Sequence, residues 1–222
     1  MPPTKTLERK LLKKYRHIVA VDEVGMGCLA GPVVVCAVMF AKKFYNHPPR
    51  NLSGVRDSKL LSAKQREKLA ERLTKERKLK YQLAFCYPKT IDRMNIYRAA
   101  RTAMKRAVLK LAELAEGHPL LMEPPQRVPL CVLVDGPHKI PNLDYDQLPI
   151  IKGDRKVFTI ACASIIAKVY RDKMMIRYAK KYPNYGFEKH KGYGTKYHVA
   201  QLIAYGPSSI HRKSFASVTK LL

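Results

Sequence analysis

Apolar residues run through this chain in short continuous blocks, separated by longer segments with helical spacing. The first block, Ile18–Val21, leads into Asp22-Glu23 and the glycines Gly25, Gly27 and Gly31 before a second block from Pro32 to about Ala41. Blocks of this length bounded by glycine and proline predict two strands with a tight connection. Ahead of them, Leu7, Leu11, Leu12 and Tyr15 recur among lysines and predict a short helix over 5–16. Residues 44–60, with Asn46, Pro48, Pro49 and Gly54, read as loop. Ser62-Ala-Lys-Gln65 has capping-box form and opens a helix to about Lys78, its buried face marked by Leu69 and Leu73. Alternation over Leu79–Tyr87 predicts a further strand.

In the next segment Ile96, Ala99, Ala100, Ala103, Ala107, Leu111 and Leu114 share one helical face. That helix should stop at Gly117-His-Pro119, and the proline-rich stretch 117–129 should be irregular. Leu130–Val134 is a continuous apolar run, as expected of a central strand covered on both faces, and it closes in Asp135-Gly136. Leu148–Ile151 predicts a short strand ending in Lys152-Gly153-Asp154. Helical spacing returns from Thr159 to about Lys181, Tyr182–Gly186 breaks it, and one more helix is expected near Lys196–Tyr205. Strands first, then strands alternating with helices, imply an α/β or α+β fold with helices flanking a mixed sheet.

Charge changes the picture most. The 222 residues carry 43 Lys+Arg against 17 Asp+Glu, a formal net charge of +26. That excess predicts an anionic polymer as partner, nucleic acid before an acidic membrane surface. No apolar stretch approaches the ~18–20 residues of a membrane span, and the N-terminus lacks the apolar core of a signal peptide. The five cysteines form no C-x-x-C pair and read as small buried hydrophobes in a reducing compartment, so a cytoplasmic protein is expected.

Against this basic background, three strand-like segments end in an acidic residue beside glycine: Asp22-Glu23, Asp135 and Asp154. Strands ending together would gather these carboxylates at one sheet edge, where α/β sheets bind ligands. Such a cluster repels itself unless cations neutralise it, which implies Mg²⁺ or Mn²⁺. Two ions ~3.5–4 Å apart can activate a water and stabilise a leaving oxygen in phosphodiester displacement. One difficulty is geometric. Neighbouring strand residues face opposite sides, so Asp22 and Glu23 reach one ion only if the strand bends at the glycines or Glu23 curls around.

From about Ile18 to Val218 the chain resembles ribonuclease HII, the type 2 ribonuclease H family. The resemblance is carried by Val21-Asp-Glu-Val-Gly-Met-Gly-Cys-Leu-Ala-Gly-Pro-Val33, Asp57-Ser-Lys-Leu-Leu-Ser62, Val134-Asp-Gly136, Ile151-Lys-Gly-Asp154, Ala163-Ser-Ile-Ile-Ala-Lys-Val169 with Arg171-Asp172, Tyr185-Gly-Phe-Glu-Lys-His-Lys-Gly-Tyr-Gly-Thr195 and Gly206-Pro-Ser-Ser-Ile-His-Arg-Lys-Ser-Phe215. It implies a ribonuclease H-like fold in one domain, with a core over about 17–180 and a helical substrate-binding region over about 181–222. It implies Mg²⁺- or Mn²⁺-dependent cleavage of RNA in RNA–DNA hybrids. Incision 5′ of single ribonucleotides in duplex DNA is also implied, giving 3′-hydroxyl and 5′-phosphate ends. The four catalytic and metal-binding acids fall on Asp22, Glu23, Asp135 and Asp154. Ribose recognition maps to the backbone of Gly25-Met26-Gly27, deoxyribose stacking to Tyr193, and a phosphate contact to Lys59.

Met26 departs from the pattern, because the family usually has arginine there. A guanidinium contact to phosphate is lost with it, and a hybrid-binding protein with weak or no catalysis becomes the alternative. The related ribonuclease HIII carries lysine in this segment and an added N-terminal domain; about 20 residues precede Asp22, too few for such a domain. His190 and His211 read as proton shuttles or as structural, and Asp172 as a helix-surface partner of Lys168. A monomer without membrane association is expected. Ser217–Leu222 reads either as a dock for a sliding clamp or other replication partner, or as domain edge.

Overall fold

The computed structural model describes residues 2–46, 52–116 and 129–221. Ten helices and five strands are ordered along these residues. They are α1 (Thr6–Leu11), β1 (His17–Val24), β2 (Val33–Phe40), α2 (Lys42–Asn46), α3 (Ala63–Thr74), β3 (Leu79–Cys86), α4 (Pro88–Met94) and α5 (Ile96–Glu116). Then follow β4 (Leu130–Asp135), β5 (Asp146–Ile150), α6 (Gly153–Lys156), α7 (Phe158–Lys181), α8 (Phe187–His190), α9 (Lys196–Tyr205) and α10 (Ala216–Thr219).

The sheet order is β3-β2-β1-β4-β5. The β1–β2 and β2–β3 pairs are antiparallel, whereas β1–β4 and β4–β5 are parallel, so the sheet is mixed as expected. Every residue of β2 is buried, and β4 is buried up to Val134, which explains why both read as unbroken apolar runs. The outermost β5 is short, half-exposed and contains Pro149, which an edge strand tolerates.

Alternation splits the core in two. Ile18, Ala20, Cys36, Val38 and Leu133 pack with α7 and with Leu69 and Leu73 of α3 on one face. Val19, Val21, Val35, Ala37 and Val132 pack with the alanine-rich face of α5 on the other. A third cluster joins Leu29 and Ala30 to Met175, Tyr185, Phe187, Leu202, Ile210 and Val218, and so ties the C-terminal helices to the far end of α7.

The capping box forms as read, with Ser62 accepting the Gln65 N–H and the Gln65 side chain accepting the Ser62 N–H. Two short helices add to the expected elements, one overlapping the start of the expected loop and one between the expected strand to Tyr87 and the helix from Ile96. Lys42–Asn46 is helical because Phe44 and Tyr45 bury against Phe40 and Phe158, an energy that local loop signals do not report. Pro88 starts α4, and Asn95, at φ 68°, separates it from α5. No side chain of its own neighbourhood caps α7; instead the buried Glu8 of α1 accepts from Thr159 N at 3.0 Å and Thr159 Oγ1 at 2.9 Å. All five cysteines are free and buried. Among the described residues no helix is long and apolar enough to cross a membrane. The expected irregular connection 117–129 lies outside the described residues except for Pro129, as do Pro48, Pro49 and Asn51 of the expected loop.

Candidate active site

Ala20 stands opposite Leu133, and Val21 opposite Val134, in the parallel β1–β4 ladder. The next residue on each strand is a carboxylate, Asp22 on β1 and Asp135 on β4, so the register alone sets these two side by side on the α7 face. Asp22 is buried and accepts the Glu23 N–H at 2.7 Å, and the nearby Ser164 hydroxyl of α7 favours its charged form. Asp135 Oδ1 accepts the Gly153 N–H at 2.6 Å, which draws the first turn of α6, and with it Asp154, toward the cluster. A Cβ on Gly153 would stand 2.6 Å from Ile160 Cδ1 and 3.0 Å from Asp135 Oδ1, so a side chain there would displace Ile160, Asp135 or the turn itself.

Two placements differ from those read in the sequence. Asp22 and Glu23 lie inside β1, paired with Cys36 and Val35, rather than just past its end, because the ladder continues to Val24. Glu23 faces the α5 side, where the positive charge of Arg101 acts on it. Asp154 is not at a strand end either; β5 stops at Ile150, and a turn with Lys152 at φ 56° delivers Asp154 on α6.

Burial pushes Asp22 well above the usual carboxylate range, and Asp135 and Glu23 push it further. Glu23 rises to about 7 through burial and then Asp135, with Arg101 and Lys59 pulling the other way. Asp154 rises through burial, Asp135 and Asp57, opposed by Lys59 and Arg155. Glu23 Oε2 is buried without a hydrogen-bond partner. An all-oxygen donor set that repels itself and holds an unsatisfied buried oxygen fits hard divalent cations. Among the described residues, no three His, Cys, Asp or Glu side chains converge at metal-ligand geometry; two of the acids bond backbone N–H groups and Glu23 lies on the other face.

The glycine segment is moored from behind. Arg212, fully buried, donates to Gly25 O at 2.7 Å, Met26 O at 2.9 Å and Gly31 O at 3.0 Å. Arg171, also fully buried, donates to Ala30 O, Pro32 O and Lys191 O at 2.8–3.0 Å. Gly25 takes φ 101°, and a Cβ there would meet Arg171 Nε at 2.3 Å, so glycine is required twice over. At Gly27 a Cβ would meet nothing within 4 Å; the protein's own packing leaves that backbone open. Met26 packs its side chain against the α5-side core.

Tyr193 pairs its backbone with Cys28 and so stands beside the same segment; the residue is 40% exposed, and Lys168 Nζ lies 5.5 Å from its ring centroid. Lys59 is exposed on a tight turn held by Asp57, which accepts its N–H at 2.9 Å. Both histidines that read as shuttles or as structural are engaged in hydrogen bonds within the C-terminal region. His190 bonds Tyr185 O and Gly192 N, and His211 bonds His198 and Ser208. Asp172 pairs with Lys168 at 2.8 Å, one turn apart, as expected. Sequence reasoning missed Ser164, Arg101, Arg171 and Arg212. Arg171 and Arg212 lie within the family motifs, but only burial distinguishes them from the many surface cations.

The family model for ribonuclease HII matches residues 19–218. The chain belongs to the ribonuclease HII family. Ribonuclease HII of Caldicellulosiruptor bescii is 50% identical over 210 residues, covering 94% of this chain and 91% of that protein. Ribonuclease HII of Bacillus subtilis is 44% identical over 206 residues, covering 93% of this chain and 72% of that protein. Among solved structures, ribonuclease H2 from Pyrococcus horikoshii superposes with a TM-score of 0.68 at 26% identity, over 92% of this chain and 96% of that one. The PCNA:RNase HII complex from Archaeoglobus fulgidus gives a TM-score of 0.67 at 28% identity, over 88% and 93%. The fold is therefore ribonuclease H-like, and the chain is a ribonuclease H endonuclease.

Proposed function

We propose that this ribonuclease HII cleaves the RNA strand of RNA–DNA hybrids and incises 5′ of single ribonucleotides in duplex DNA, leaving 3′-hydroxyl and 5′-phosphate ends. The observation that carries it is the parallel register that sets Val21 opposite Val134 and so brings the next residues, Asp22 and Asp135, side by side, with Glu23 and Asp154 in electrostatic reach. On this reading Asp22, Glu23, Asp135 and Asp154 hold Mg²⁺ or Mn²⁺. Bound metal supplies an activated water and stabilises the departing 3′ oxygen. The chain's own residues position the strand. The open backbone at Gly27, with Gly25 and Met26 fixed by Arg212, meets the 2′-hydroxyl that separates RNA from DNA. Tyr193 offers its exposed ring to the neighbouring sugar, and Lys59 offers a charge to a phosphate.

In this proposal the core over about 17–180 carries the chemistry, the region from about 181 binds substrate, and a cytoplasmic monomer does the work. The Archaeoglobus fulgidus relative was solved with PCNA, which makes a sliding-clamp contact a testable extension here. A second reading, a hybrid-binding protein of low activity, draws on Met26, whose side chain is uncharged and packed on the core. A labelled DNA duplex with one embedded ribonucleotide separates the two: cutting 5′ of the ribonucleotide supports the enzyme, and binding without cutting supports the alternative.

A further inference from the structure

A cleft of about 1080 Å³ opens between α3, the segment 53–61 and Arg155-Lys156 of α6. Val55, Leu61 and Leu69 form its apolar floor, and Leu60 stands exposed at its rim. Around the floor are five cations, Arg56, Lys68, Arg72, Arg155 and Lys156. Among the described lining residues the one carboxylate, Asp57, is already engaged, accepting from Arg155 Nε at 2.9 Å and from the Lys59 N–H at 2.9 Å. Lys68 and Arg72 lie one helical turn apart on α3 and so concentrate positive charge along one wall.

The cleft is built into the site rather than appended to it. Arg155 and Lys156 directly follow Asp154, and Leu60 directly follows Lys59. Arg66 donates to Ser58 O at 2.8 Å and to Leu61 O, which fixes the wall. Ser58 Oγ bonds Ser164 Oγ at 3.1 Å, and the Ser164 hydroxyl is one of the groups that favour the charged form of Asp22. A rigid, strongly cationic hollow with a leucine floor matches a phosphate-bearing ligand that also carries an apolar flat group, the chemistry of a nucleotide.

We propose that this cleft binds a nucleotide unit of the substrate strand outside the scissile position, phosphates on the cations and base or sugar on the leucines. The proposal rests on the endonuclease reading above. Contiguity with Asp154 and Lys59 favours the strand over a free nucleotide, which has the same chemistry.

The test uses the full chain and the paired variant Lys68→Gln/Arg72→Gln, on duplexes with one ribonucleotide whose flanks are shortened stepwise from either end. On the long duplex the variant should raise KM about tenfold with kcat unchanged, and the salt dependence of log kcat/KM should flatten by about 2. On a duplex trimmed short of the cleft, wild type should already show the higher KM, and the variant should add nothing. ATP is the free-nucleotide probe. Competition by ATP that the variant abolishes, with long-duplex KM unmoved, would overturn the strand assignment. Equal KM for wild type and variant on every duplex, with no effect of ATP, would overturn the site. If wild type cuts no duplex, the endonuclease reading fails on its own. Anisotropy binding of the same duplexes then tests the cleft by the same comparison, with Kd in place of KM.

Discussion

Arg212 is the residue whose loss should separate a moored glycine segment from a loose one. Its guanidinium is buried among carbonyls, donating to Gly25, Met26 and Gly31 across 181–187 residues of chain. Burial and the neighbouring Arg171 hold its pKa down to about 10, so it stays charged at neutral pH. A hydrogen bond from a charged group contributes ~1.5–3 kcal/mol, and stranded buried carbonyls add their own cost. Arg212→Ala should therefore cost roughly 3–5 kcal/mol, a large share of a domain's total. Arg212→Lys keeps the charge but not the planar fork, and should cost about 1–3 kcal/mol. Urea unfolding at constant m gives the stability. Steady-state cleavage of the single-ribonucleotide duplex, under conditions where urea unfolding shows the Lys variant folded, gives the function. Loosening the segment should raise KM more than it lowers kcat. An Arg212→Lys enzyme with wild-type stability and wild-type kcat/KM would refute the claim that the fork holds this backbone.

Three packed histidines make the C-terminal region acid-sensitive. His198 Nδ1 donates to Tyr193 O, so its Nε2 must accept from His211 Nε2 at 3.1 Å, and a proton added to either ring sets N–H against N–H. Burial lowers both rings from 6.5 to about 4, so the unfolded chain binds more protons between those values. The contribution of these rings should be complete above about pH 7 and be lost as pH drops toward 4, by on the order of 3 kcal/mol per ring, opposite in sign to Asp22 and Glu23, whose raised pKa favours the folded state over the same range; a difference in urea midpoint between wild type and His211→Gln that stays constant across that range would contradict it. Met26→Arg should raise kcat/KM, about tenfold if the guanidinium reaches a phosphate, as measured on the same duplex. Unchanged or lower kcat/KM would mean the site has adapted around methionine.

What the sequence made legible was local or periodic. The Leu130–Val134 run, the Ser62–Gln65 box and the Lys196–Tyr205 helix carry their own signals, and each element stands where those signals put it. The acidic residues were legible as types at strand boundaries. Their true positions were not, because the length of β1 is set by its β2 partner, Val34 opposite Val24, and not by the unfavourable strand propensity of Asp22 and Glu23. Least legible were contacts between distant residues. Glu8 caps α7 from 151 residues away, and Arg171 reaches Ala30 across 141, yet in sequence each is one more charged residue of a highly charged chain.

Metal-assisted strand cleavage by the paired carboxylates of β1 and β4 is tested most directly with wild type and Asp135→Asn on a labelled duplex containing one ribonucleotide. Each is assayed with Mg²⁺, with Mn²⁺ and with EDTA. Asparagine can still accept the Gly153 N–H, so the turn that carries Asp154 should stay in place while the charge is lost. The expected result is metal-dependent cutting 5′ of the ribonucleotide by wild type, a loss of at least ~100-fold in the variant, and unimpaired binding by both. Equal cutting by Asp135→Asn, or binding without cutting by wild type under either metal, would contradict this role for the carboxylates.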